Sequence, residues 1–206
     1  MLQGVHWLGH ASFRIEDGGV VIYIDPWKLQ GGKPADLILV THVHQDHLSP
    51  ADIAQIAQPS TVYVCPPACA EQLSGDVRVL AAGRAVQIGT VRVEAVPAYN
   101  PGKRYHPQKA GYVGYVVEVG GRRIYHAGDT DVIPEMDGIR CDVALLPMGG
   151  TYTMNADEAA QAVARMRPKV VVPMHWGDIV GQRSDVDRLA TLLPPEVQLV
   201  VLTPER

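Results

Sequence analysis

No hydrophobic run in this sequence is long enough to cross a membrane. The longest apolar stretches, among them Val20–Ile24 and Leu37–Val40, are strand-sized, well short of the ~18 residues a spanning helix needs. Basic tracts are also missing, and Lys plus Arg number 18 against 22 for Asp plus Glu. This balance argues against a dedicated nucleic-acid binder, although not against a nuclease. Cysteine is scarce: Cys65, Cys69 and Cys141 are too few for a disulfide framework and lack the C-x-x-C spacing of a redox or zinc motif. They are expected to be reduced residues of a cytoplasmic protein. The opening residues, Met1-Leu2-Gln3-Gly4-Val5-His6, have neither a basic start nor an apolar core, so no secretory signal is expected. Charged residues make up only 19% of the chain and hydrophobic ones 47%, a composition that excludes a disordered polypeptide. The length of 206 residues suits one domain, residues 1–206, with enough chain to bury a large core.

What is present is a succession of short apolar segments between turns. Phe13–Ile15, Val20–Ile24, Leu37–Val40, Thr61–Val64, Val77–Leu80, Ala85–Ile88 and Thr90–Val96 read as strands. So do Tyr112–Val119, Arg123–His126, Val143–Leu146, Lys169–Pro173 and Val197–Leu202. Asp17-Gly18-Gly19 and Gly120-Gly121 read as hairpin turns. Helices are expected at Pro50–Ala57, capped by Ser49, at Asn155–Met166, where Asn155 and Glu158 stand at capping-box spacing, and at Ser184–Leu193. Cys69–Leu73 reads as a short helical piece. Early strands followed by late strand–helix units predict an α+β domain, a four-layer αββα sandwich. Tyr99–Gly111, with two prolines, is the one long irregular stretch, and such loops are often functional.

The densest chemistry is Thr41-His42-Val43-His44-Gln45-Asp46-His47, directly after the apolar strand Leu37–Val40. At a strand end His42 and His44 can point to one side and hold one cation, while Asp46 and His47, beyond the turn, can hold a second. Imidazole and carboxylate donors suit zinc, with manganese and iron as alternatives. Gly128-Asp129-Thr130 follows the strand Arg123–His126, and the glycine permits a tight turn from which Asp129 can project between two metals. Met174-His175-Trp176-Gly177-Asp178 follows Lys169–Pro173 and places His175 at a third strand end. His10 is either a proton donor facing the cleft or a core histidine. Lys103 and Arg104 could meet an anionic group of a substrate or simply be solvated. Gly149–Met154 is either an anion-binding loop or a plain connection.

The H-x-H-x-D-H run, the later Gly128-Asp129-Thr130 and the strand-end His175 resemble, in order, the metal motifs of the metallo-β-lactamase superfamily. Leu8-Gly9-His10 and Ile24-Asp25-Pro26-Trp27, with the compact length, resemble the branch that contains the bacterial ascorbate-6-phosphate lactonase. The resemblance implies an αββα fold, two divalent metal ions and hydrolysis by a metal-bound hydroxide. It implies His42 and His44 on the first metal, Asp46, His47 and His175 on the second, and Asp129 between them. It also implies that Asp25 orients a ligand histidine, although a turn aspartate before proline reads equally well. Thr41 and Thr130 are either supporting hydroxyls or turn residues.

One ligand is missing from this pattern. The superfamily usually places a histidine where this chain reads Val96-Pro97-Ala98-Tyr99-Asn100. His106, in the loop beyond, is expected to fold back and complete the first site, with Asn100 as the rival, either as an oxygen ligand or as a substrate contact. The alternative is a solvent-exposed His106. The expected activity is dinuclear metal-dependent hydrolysis of a small lactone or ester, with Asp46 accepting or orienting the proton of the attacking water. The other readings are a phosphodiesterase or nuclease of the same fold, an iron-dependent oxidoreductase, and a non-catalytic metal-binding scaffold. A small molecule, rather than nucleic acid or a membrane, is the expected partner.

Overall fold

Period-two alternation divides the strand side chains between two cores. Phe13, Ile15, Ile22, Ile24, Leu37, Leu39 and Val64 fall into one buried cluster, while their neighbours Tyr23, Ile38, Tyr63 and Cys65 fall into another. A strand apolar on both faces must be covered on both, and the computed structural model, which describes residues 1–205, shows how.

The first sheet has six strands in sequence order: β1 (Val5–Gly9), β2 (Ser12–Asp17), β3 (Val20–Ile24), β4 (Leu37–Leu39), β5 (Val62–Cys65) and β6 (Asp76–Val79). The first three are antiparallel, and the pairs from β3 to β6 are parallel. The second sheet has seven strands: β7 (Ala85–Ile88), β8 (Val91–Pro97), β9 (Val113–Val119), β10 (Arg122–His126), β11 (Val143–Pro147), β12 (Val170–Met174) and β13 (Gln198–Leu199). It is an antiparallel meander to β10 and parallel from there on. The sheets pack face to face, and the Tyr115 hydroxyl donates across to the Val40 carbonyl at 2.7 Å.

Parallel neighbours need crossover connections, and the helices supply them on the outer faces. Helix α1 (Pro50–Ile56) covers the first sheet through Ile53 and Ile56, which pack with Tyr23, Ile38 and Tyr63. Helices α2 (Ala156–Met166) and α3 (Arg183–Leu192) cover the second. The capping box at Asn155 and Glu158 starts α2, with both reciprocal bonds present at 2.9 and 2.8 Å. The fold is therefore the αββα sandwich of the metallo-β-lactamase type. Among the described residues no helix is long and apolar enough to cross a membrane.

Three local differences from the sequence reading have physical causes. Strand β1 was not expected, because His6 and the Leu8-Gly9-His10 turn interrupt a short apolar segment. The final strand is only Gln198–Leu199, since beyond Val200, whose N–H still reaches Val171 (2.9 Å), the chain leaves the second sheet. It crosses to the first, where the Glu205 N–H meets the Trp7 carbonyl at 2.7 Å. The segment at Cys69 is a 3-10 helix, Pro67–Gln72.

The strand ends carry the candidate site, so their backbone spacing matters. A Cβ at Gly114 would stand 2.7 Å from the carbonyl oxygens of His126 and Ala127, the residues leading into Gly128-Asp129. Gly114→Ala is expected to lower stability by about 3 kcal/mol, the overpacking range. A shift of the urea midpoint checks this, and an unchanged midpoint would show that the neighbouring strand yields at no cost.

Candidate metal centre

Every chemistry-bearing segment leaves the carboxyl end of a strand on the same edge of the sandwich, where open sheets bind ligands. Asp25 follows β3, the residues 41–47 follow β4, Asp129 follows β10 and His175 follows β12. The loop after β8 carries His106. The turns are tight. Among non-glycine residues His10, Asp25, His106 and His175 have φ of 51, 48, 53 and 57°. Left-handed backbone costs such residues about 1–2 kcal/mol each, a strain typical of functional sites. Backbone bonds secure these turns. The His10 carbonyl accepts from the His175 N–H and from Trp7 Nε1, both at 2.9 Å, and the His106 carbonyl accepts from the Asn100 N–H, also at 2.9 Å.

Three imidazole nitrogens converge at one point. His42 Nε2 lies 3.0 Å and His106 Nε2 3.1 Å from His44 Nδ1. Two imidazole nitrogens on one tetrahedral zinc would stand about 3.3 Å apart. A second group brings together Asp46, His47, His175 and His10. Asp129 touches both. Its Oδ2 is 3.3 Å from His106 Nε2 and 3.2 Å from His175 Nε2, and its Oδ1 is 3.3 Å from His47 Nε2. His106 thus stands inside the cluster, buried, not in solvent.

The hydrogen bonds behind the cluster set the tautomers. The Asp25 carboxylate accepts from the Thr41 N–H (2.8 Å), the Thr41 hydroxyl (2.6 Å) and His47 Nδ1 (2.7 Å). Because the Thr41 hydroxyl donates to Asp25, His42 Nδ1 donates to Thr41 Oγ1 (2.9 Å). His42 therefore presents an Nε2 lone pair to the cluster, and His47 is aimed the same way.

The electrostatics match a cation site. Burial pushes the pKa of His42 far down and that of His44 down, and it takes His106 to about 4 against the pull of Asp129. Burial opposes ionisation of Asp129, yet His175 and His47 outweigh it and hold its carboxyl well below the usual range. Asp46 is likewise held low despite burial, chiefly by its bond from His10. His47 is raised despite burial, by Asp129 and then Asp25, so a cation at its Nε2 would take the place of a proton. Buried His47 Nε2, His175 Nε2 and Asp129 Oδ1 approach one another but make no well-aligned hydrogen bond. Orphaned polar atoms of this kind are costly, and these share one spot that a cation would satisfy.

Several expected site residues lie outside the cleft lining. His10 stands in the second group, its Nε2 2.9 Å from Asp46 and its side chain buried, but it is not among the residues that line the cleft. Asn100 gives its amide to the Tyr152 carbonyl (2.5 Å), 3.3 Å from His106 Nδ1, and latches two loops together. Lys103 lies outside the cleft lining, held by Asp131 (2.5 Å) and the Thr153 carbonyl (2.6 Å). Arg104 is exposed and outside the cleft lining. The Thr130 hydroxyl touches no cluster side chain. It accepts from the Tyr99 N–H (3.1 Å) and ties the His106 loop to the Asp129 turn. The cleft above the cluster, about 400 Å³, has walls that sequence reasoning missed: Trp27, Tyr105, Tyr152, Ile179 and Gln45. Only Trp27, directly after the strand-end Asp25-Pro26, carried a local signal.

Comparison with known proteins identifies relatives along nearly the whole chain. Residues 4–175 match the model of the beta-lactamase superfamily domain. A metal-dependent hydrolase of Pyrococcus abyssi is 36% identical over 217 residues, covering 97% of this chain and 96% of that protein. A solved structure from Parabacteroides distasonis, a proposed metal-dependent hydrolase, superposes with a TM-score of 0.87 at 32% identity, covering 97% and 93% of the two chains. A metallo hydrolase of the archaeon Ignicoccus hospitalis gives a TM-score of 0.80 at 25% identity, covering 98% and 95%.

The Asp25 carboxylate, through its bond to His47, generates a direct expectation. Asp25→Asn should weaken zinc binding about 10–100-fold, as loss of an orienting partner does. Competition against a chromophoric chelator measures this, and an unchanged affinity would remove Asp25 from the design.

Proposed function

The chain belongs to the metallo-β-lactamase superfamily and is a metal-dependent hydrolase; from that premise we propose that it uses two divalent cations, zinc first among the candidates, to hydrolyse a small ester or lactone. The observation that carries this reading is the bipartite cluster. His42, His44 and His106 would hold one cation, and Asp46, His47 and His175 the other, with Asp129 between them. When bound, such cations act as Lewis acids and bring the pKa of a water from about 15.7 to about 7.

The chain's own residues do the rest. Asp46 lines the cleft, is ionised, and can accept or orient the proton of an attacking water. His10 fixes the Asp46 carboxylate from behind at 2.9 Å, which makes it a positioning residue. Asp25 and Thr41 hold His47 and His42 in the ligating tautomers. The buried half of the cluster, at the closed end of the cleft, excludes bulk water and so strengthens every charge interaction there.

Asp46→Ala should abolish most hydrolysis, about 10²–10⁴-fold in kcat, while circular dichroism and the melting profile remain those of the parent. An ester and lactone panel at saturating zinc provides the measurement. Retention of most activity would take Asp46 out of the mechanism.

A further inference from the structure

We propose that the cleft is built for an uncharged substrate. Its apolar portion lies among Trp27, Tyr105, Tyr152 and Ile179, and only its reacting carbonyl reaches the histidine and aspartate cluster. This inference rests on the hydrolase reading and names the substrate class for it.

The walls are the first argument. Outside the cluster residues and Gln45, the lining consists of these four apolar or aromatic side chains and contains no Lys or Arg. Cations bound at the floor would meet the carbonyl; the walls select the rest of the molecule. Exposure is the second. Among the described residues the exposed large hydrophobics are Met1, Val79, Tyr105 and Ile179, and the last two, 45% and 49% exposed, both stand at this mouth. Apolar surface held open at the rim of a cleft is what a ligand covers.

The third argument is that two nearby lysines and part of one loop are already engaged. Lys28 is paired with Asp178 at 2.9 Å and lies 4.1 Å over the Trp27 ring. Lys103 is tied to Asp131 and Thr153. In the loop after β11, the Gly150 N–H donates to Met154, the Thr151 N–H to Gly149 and the Met154 N–H to Thr130. Three of the six N–H groups of residues 149–154 are thus turned inward to the chain's own carbonyls. A phosphorylated or carboxylated substrate would bring its second charge to an uncharged wall.

The walls are also set in advance. The Tyr105 ring meets Tyr152 edge-on, with centroids 4.9 Å apart, and Asn100 fastens the Tyr152 backbone. Beside Trp27, the Asp52 carboxylate accepts from the Lys28 N–H (3.0 Å) and the Leu29 N–H (2.8 Å). Fixed walls need no ordering when the substrate enters.

The test compares p-nitrophenyl hexanoate, p-nitrophenyl acetate and mono-p-nitrophenyl adipate on the zinc-loaded protein. Calorimetry of N-benzylacetamide and N-methylacetamide supplies a readout independent of turnover. The hexanoate should exceed both other esters in kcat/KM by about tenfold or more, the worth of a few buried methylenes. Trp27→Ala and Tyr105→Ala should each cut the hexanoate about 3–10-fold more than the acetate. N-benzylacetamide should bind about tenfold tighter than N-methylacetamide and lose that advantage in Trp27→Ala. Preference for the adipate, or equal losses for hexanoate and acetate in both variants, overturns the inference. If no ester turns over, the ester and lactone reading fails, and the calorimetric pair alone decides the cleft: the benzyl advantage supports the apolar walls, and equal binding overturns them.

Discussion

A buried carboxylate organises this molecule. Asp129 is 3% exposed, ionised, and within 3.3 Å of imidazole nitrogens from His47, His106 and His175. A charge in such a place is costly unless it is paired. Burial lowers the pKa of His42, His44 and His106, so these three offer lone pairs rather than charge, whereas Asp129 and Asp25 raise that of His47. The arrangement calls for cations from outside. The strained left-handed turns at His10, Asp25, His106 and His175 persist because the sandwich behind them over-determines their backbone. The protein thus spends fold stability on convergence of like groups, which a cation-free role would not explain.

The sandwich divides labour between its halves. The parallel strands end in the acid and imidazole groups, and their bonds back into the core, Asp25 to Thr41 and His126 Nε2 to the Ala11 carbonyl at 2.8 Å, keep the turns in register. The loops after β8 and β11 supply two of the wall residues, Tyr105 and Tyr152, and are joined to each other through Asn100, Lys103 and the Tyr105–Tyr152 contact. His106 belongs to both systems: it stands in the metal cluster and is the immediate neighbour of a wall residue. Cluster and cleft are therefore mechanically linked through one loop.

Much of this was legible in the residues. Apolar segments with period-two alternation marked most strands, and the capping box at Asn155 marked the clearest helix. Three strand ends carrying His and Asp pointed to one edge of the sandwich, because a tight local run such as His42–His47 has few structural uses. What depended on distant contacts was not legible. Strand β1 exists because β2 and the C-terminal tail flank it. Lys103 and Asn100 looked available for substrate because their partners, Asp131 and the Tyr152 backbone, lie some 28 and 52 residues away in the chain. The apolar walls come from four separate loops, each contributing a single residue, Tyr105 and Ile179 exposed and Trp27 and Tyr152 half-buried. His106 was reachable only by asking which histidine could replace the one absent from the end of β8.

The most direct test is diffraction from zinc-loaded crystals, measured above and below the zinc absorption edge. Two anomalous peaks are expected per chain, one among His42, His44 and His106 and one among Asp46, His47 and His175, with Asp129 adjacent to both. A single peak under metal-replete conditions, or a second peak away from these side chains, would contradict the dinuclear account.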